Sequence, residues 1–194
     1  MSLKSPCAED LRKVHAEITQ IVNQRFLITT FAITVFGLIV AWLIPKNTPP
    51  VGSDLGLFTF AGSILLILLL LGLYWYSHSL KGMLRIFTSY LLVTEASAWE
   101  YDWERYRRTK YFGFTKAQTS IFLLLGILAT SFPCFLAGVY SLNLRPQIGL
   151  WVDIGVGIIY FVLVLGMGFL GFLNPEPKAK EKWEKLRKEE GAIE

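Results

Sequence analysis

The sequence predicts an all-α integral membrane protein: four transmembrane helices with a cytoplasmic helical layer. Three observations carry this. Residues 26–44, 57–76, 119–140 and 154–173 contain no Asp, Glu, Lys, Arg or His, and each block is close to the roughly 20 apolar residues that cross a bilayer. Hydrophobic residues are 53% of the 194 and charged residues only 18%, against about 25% charged in a soluble domain. The 19 Lys and Arg are distributed unevenly, with 4 before the first block, 1 at 45–56, 7 at 77–118, 1 at 141–153 and 6 after the fourth block. Four spans place the first, third and fifth segments on one side, so 17 basic residues face 2. Basic segments stay in the cytoplasm, so both termini and 77–118 are expected there.

The composition excludes several classes. High hydrophobicity and low charge exclude disorder for the bulk of the chain. Two cysteines, Cys7 and Cys134, are too few for a disulfide framework. About 25 largely polar residues precede the first apolar block, which separates it from a cleaved signal peptide. Trp42, Tyr140 and Trp151 fall at one membrane boundary and Tyr74, Trp75 and Tyr76 at the other, where amphipathic rings are favoured. The chain has no Asn-x-Ser/Thr acceptor, which fits a bacterial inner membrane.

The reading divides the chain into a cytoplasmic N-terminal helix (1–25), a first transmembrane hairpin (26–76), a cytoplasmic helical hairpin (77–118), a second transmembrane hairpin (119–173) and a cytoplasmic C-terminal helix (174–194). Ser5 and Pro6 can start the first helix as cap and first position. No Gly or Pro interrupts residues 7–36, so this helix runs directly into the first span. The middle segment must fold back. As one straight helix, 77–110 would carry the chain about 50 Å away, and eight further residues return it by about 28 Å at most. A helix is therefore expected to end near Thr94. Ser97 and Glu100 have capping-box spacing for a returning helix, and Thr115 with Gln118 form a second box before the third span. Trp99, Trp103 and Tyr106 share one face of the returning helix, next to Arg107 and Arg108. That face packs on its neighbour helix, or it is a surface for a soluble cytoplasmic partner. The tail reads as a solvated helix over about 178–190, with Glu181 and Lys185 paired one turn apart.

Catalytic chemistry is not in evidence. No metalloprotease, nucleophile-elbow, Walker or dinucleotide motif occurs, and the two histidines, His15 and His78, suggest no metal site. No catalytic residue, metal or cofactor is assigned, and no direct nucleic-acid partner is expected. Asp153 lies at the outer edge of the fourth block and reads as an interfacial helix cap. With no ionisable group inside the blocks, ion-coupled transport is disfavoured.

Two stripes remain. Gln20, Asn23, Thr30, Thr34, Gly37 and Ala41 fall within a sector of about 100° on the first helix, with Leu27 inside it and Leu38 on its edge. This face either packs on a neighbouring helix or lines water, and a water path needs several copies around an axis. Arg25 lies off the stripe and is expected to snorkel to headgroups. Gly126, Thr130, Cys134 and Gly138 follow at i+4 intervals on the third span, near Pro133. Small residues at this spacing permit close helix approach, within the chain or between copies.

The stretch His15-Ala16-Glu17-Ile18-Thr19-Gln20-Ile21-Val22-Asn23-Gln24-Arg25-Phe26, together with 95–108, resembles the small multi-span membrane effectors of prokaryotic conflict systems, the SLATT type. The likeness lies in a cytoplasmic helix leading into a span and a charged cytoplasmic hairpin. SLATT domains are built around two spans and this chain has four. The resemblance implies a self-assembling membrane protein that perturbs the bilayer when a partner senses infection, and it transfers no site residue. The expected function is a homo-oligomeric pore or membrane-perturbing effector controlled through its cytoplasmic helices. The alternative is a non-conducting scaffold that recruits a soluble partner.

Overall fold

A computed structural model describes residues 8–46, 55–94, 114–140, 147–168 and 181–185, and every regular element among them is α-helical. The long helices are α1 (Ala8–Leu43), α2 (Leu55–Val93), α3 (Phe114–Tyr140) and α4 (Gln147–Gly168). All four contain a stretch long and apolar enough to cross a membrane. Helix α1 is continuous over 36 residues, about 54 Å at the usual rise, because nothing in 8–36 breaks it. Helix α2 ends at Val93, where the Thr94 hydroxyl and amide both bond the Tyr90 carbonyl. Helix α3 starts at Phe114, so Thr115 is already helical and its carbonyl accepts the Thr119 hydroxyl. It is not the cap expected from the second box.

The chain divides into two compact units. One comprises Met1–Leu27, Ser77–Gly113 and Gly171–Glu194, and the other Ile28–Tyr76 and Phe114–Leu170.

The second unit is held together by seams of buried residues spaced alternately four and three apart. On α3 these are Gln118, Phe122, Leu125, Ala129, Phe132 and Leu136, and on α4 Asp153, Gly157, Tyr160, Val164 and Met167. A mean spacing of 3.5 keeps one face of a helix against its neighbours over many turns. Leu43 of α1 joins Phe132 and Leu136 in one apolar cluster. Tyr160 of α4 donates its hydroxyl to the Phe122 carbonyl of α3 at 2.6 Å. Gln118 of α3 donates to Thr29 of α1 at 2.7 Å.

Several polar side chains are buried beside the apolar core while many large apolar ones face outward. Thr59, Ser63, Gln118, Thr119 and Asp153 are buried, while Phe31, Leu65, Phe135, Val162 and Trp151 are more than half exposed. In hydrocarbon, polar groups must find partners inside the bundle and apolar side chains meet a like solvent. Trp42 and Trp151 are exposed by 68% and 70%, as interfacial anchors would be.

In the first unit, Ile21 and Arg25 of α1 are buried, as are Ser77, Leu80 and Lys81 of α2. Arg25 does not snorkel outward. It is 4% exposed, and its Nε donates to Ser77 Oγ at 3.4 Å. The reason is register: Ile21, Arg25, Ile28 and Ala32 are buried at alternating four- and three-residue steps along α1, so Arg25 occupies the buried face of that helix. Tyr90 meets Trp183 edge-on at 5.1 Å, so the tail residues 181–185 present at least one packed side chain.

Candidate functional site

The most unusual chemistry lies where α2, α3 and α4 meet inside the second unit. It starts with Pro133, which is buried within α3. A helical proline has no N–H, so the carbonyl four residues earlier loses its intrahelical partner. That carbonyl belongs to Ala129. Ser63 of α2 lies against it, with Oγ at 2.8 Å from Ala129 O. The same Oγ is 2.8 Å from Oδ1 of Asp153 on α4. Ser63, Ala129 and Asp153 are each 0% exposed, and Asp153 Oδ2 is buried with no hydrogen-bond partner.

Asp153 is therefore not an interfacial cap. It is the seventh residue of α4, Gln147–Gly168, and it lies inside the candidate span Leu150–Gly168. Starting the fourth span at Ile154 left it one residue outside. The seam spacing of Asp153, Gly157, Tyr160 and Val164 is the sequence signal that would have placed it inside. Ser63 carries no comparable signal of its own. Its role becomes visible only from Pro133, which leaves a carbonyl to be satisfied.

A second polar layer lies elsewhere in the same unit. Tyr74 of α2 and Thr119 of α3 are 3.0 Å apart, oxygen to oxygen. Thr119 also reaches Thr115 O at 2.8 Å and Tyr74 reaches Val164 O at 3.4 Å, and either hydroxyl can donate to the other. This layer is neutral, and each hydroxyl has a partner.

The α1 stripe lies on the outer surface. Gln20, Asn23, Thr30, Thr34, Gly37 and Ala41 are all exposed, as are Leu27 and Leu38. On the opposite face Ala32 is 0% exposed. Packing within the chain thus does not cover the stripe. A Cβ added at Gly37 would meet nothing within 4 Å. Thr34 donates its hydroxyl to Thr30 O at 3.0 Å.

The small-residue series on α3 divides into two halves. Gly126 lies against the Tyr160 ring, and Thr130 approaches Gly157, both on α4. Cys134 and Gly138 are exposed, with open space around Gly138. Each i+4 step rotates a helix by about 40° beyond a full turn. Three steps carry the series about 120° around α3, off the α4 contact and onto the outer surface.

Trp99, Trp103, Tyr106, Arg107 and Arg108 lie outside the described residues. Among the described residues no three His, Cys, Asp or Glu side chains gather as a metal site would need. Among the described residues, the groups bonded at the α2, α3 and α4 junction are the Asp153 carboxyl, the Ser63 hydroxyl and the Ala129 carbonyl, all hard oxygens. The fold and this junction define a helical protein with four candidate membrane-spanning helices and a buried polar core. No family model, curated protein or solved structure matches the chain.

Proposed function

We propose that the chain is a multi-pass protein of the bacterial inner membrane, with both termini cytoplasmic, and that copies associate through the outer face of α1. In this reading the assembly is a pore or membrane-perturbing effector, controlled through the cytoplasmic helices. One observation carries the proposal. Thr30, Thr34, Gly37 and Ala41 form a continuous stripe of small residues that the protomer leaves uncovered, and such stripes let helices approach closely in a bilayer. A role in prokaryotic defence rests on the SLATT-type resemblance of residues 15–26 and 95–108.

A second reading is a non-conducting scaffold that recruits a soluble partner. It is favoured by the Thr34 hydroxyl, which already bonds Thr30 O and so needs no water. The pore reading requires self-association and conduction, and the scaffold reading requires neither.

Mass measurement in detergent tests self-association, and a strict monomer would remove the pore reading. Thiol labelling separates them. In a pore, Thr30→Cys and Thr34→Cys are expected to react with a water-soluble reagent, while Ala32→Cys stays inert. If cysteines at 30 and 34 are inert in every state of a functional protein, the stripe is dry and the scaffold reading stands. Topology is checked separately with reporter fusions. Fusions after Thr48 and Gln147 are expected outside and one after Ser97 inside; an external signal at Ser97 would reverse the orientation.

A further inference from the structure

We propose that Asp153 is a proton-binding site within the bundle, where the carboxyl group carries a hydrogen on Oδ1 and donates it to Ser63 Oγ. The argument is a count of hydrogens. Ala129 O is a carbonyl and can only accept, and Pro133 has removed its helical donor. At 2.8 Å from Ser63 Oγ, it takes the one hydrogen a serine hydroxyl owns. Asp153 Oδ1 stands 2.8 Å from the same Oγ. Two oxygens at that distance form a hydrogen bond only if one of them brings a hydrogen. A straight bond along each contact needs two hydrogens and the serine owns one; in this assignment it goes to Ala129 O, which cannot donate, and the carboxyl supplies the other.

The surroundings support a neutral group. Asp153 is 0% exposed and its Oδ2 has no partner. An ionised carboxylate there would hold a charge and a bare oxygen in a low-dielectric interior. The acid form leaves only one carbonyl-type acceptor without a bond. Among the described residues of this unit, the other titratable groups are engaged or exposed. Tyr74 of α2 faces Thr119, and Tyr160 of α4 holds the Phe122 carbonyl. Tyr76 of α2, Lys116 and Cys134 of α3, and Lys46 just beyond α1 are exposed. Among the described residues Ser63 is the hydrogen-bond partner of Asp153.

The chain of bonds runs from α4 through α2 to the gap that Pro133 opens in α3. Release of the proton to water would leave a carboxylate, which would compete with Ala129 O for the Ser63 hydrogen. Proton occupancy is thereby tied to the packing of three helices. This holds whether or not copies associate through α1.

Infrared spectroscopy of the full-length protein in liposomes tests the assignment. At neutral pH the carbonyl stretch of a protonated carboxyl is followed, and its response to substitution at positions 153 and 63 assigns it. That band is expected in the wild type, absent from Asp153→Asn, and shifted in Ser63→Ala, where its acceptor is gone. Thermal melts across pH give a second readout. The amide of Asn can donate to Ser63 Oγ in place of the acid, so Asp153→Asn should match the wild type at acidic pH. The wild type should fall progressively below it as pH rises, because a folded state that binds the proton more tightly loses stability as protons become scarce. The absence of a protonated-carboxyl band in the wild type at neutral pH would overturn the proposal. So would a rise in wild-type melting temperature with Na⁺ that Asp153→Asn lacks, since that marks an ionised cation site. If Asp153→Asn fails to fold, Ser63→Ala decides: a band that does not shift there would overturn the proposal.

Discussion

Gly126→Val is expected to unfold the detergent-solubilised protein well below the wild-type temperature, while Gly138→Val, twelve residues along the same helix, leaves it unchanged. At position 126 a Cβ would run into Tyr160, with ring atoms Cδ1 at 2.8 Å and Cζ at 3.1 Å from it. The ring has little freedom to move. It is 1% exposed, its hydroxyl is tied to Phe122 O at 2.6 Å, and its edge meets Phe161 at 5.7 Å. To admit valine, either the ring moves and gives up its hydrogen bond, or α3 and α4 separate. Overpacking costs about 1–3 kcal/mol and a lost buried hydrogen bond about 1 kcal/mol more. A loss of about 3 kcal/mol is therefore expected at position 126. At 138 there is nothing within 4 Å to meet the added carbons. The measurement is the fraction of each variant that stays monodisperse after heating. Equal behaviour of the two would mean that α3 and α4 do not pack through Gly126.

The contrast between two glycines of one small-residue series shows what was legible in the sequence. The helices were legible because their causes are local. Uncharged blocks define the spans, α1 has no breaker before Gly37, and the return distance of the middle segment requires an end near Thr94. The pairing faces were legible only through the correct period. A strict i+4 series such as 126, 130, 134, 138 leaves the interface, whereas the 3.5-residue series 118, 122, 125, 129, 132, 136 stays on it. A cation beside a span usually reaches for headgroups, yet the seam position of Arg25 turns it inward toward Ser77. Asp153 is the converse case. A charge usually marks the end of a span, although an acid can sit inside one if a hydroxyl receives it. The α1 stripe was legible as a face but not as packed or free, since that depends on which side of the helix the other three occupy.

If copies associate through α1 as proposed, Gly37→Leu is expected to convert the assembly to protomers without harming the protomer, and Gly72→Leu is its matched control. Both glycines are helical and exposed, and a Cβ at either meets nothing within 4 Å. Within one chain the two substitutions are equivalent. Each adds a side chain to open space and replaces the poorest ordinary helix former by a good one, a gain of up to about 1 kcal/mol. Folding of the protomer should therefore hold or improve in both. They differ in their neighbours. Gly37 follows Thr30 and Thr34 at three- and four-residue steps and precedes Ala41, so it occupies the low point of the uncovered α1 stripe. Gly72 is flanked on α2 by Leu71 and Leu73, and exposed Leu65, Leu68 and Trp75 surround it, as on a lipid-facing surface. A leucine at 37 holds two α1 helices apart and removes the close contact that small residues permit. Each 1.4 kcal/mol lost from that contact weakens association about tenfold. Mass in detergent is expected to fall to that of one chain for Gly37→Leu and to stay with the wild type for Gly72→Leu. Any permeability of reconstituted vesicles should disappear with the assembly. Dissociation by Gly72→Leu alone would move the interface to α2, and an unchanged mass in both variants would leave the α1 stripe to lipid.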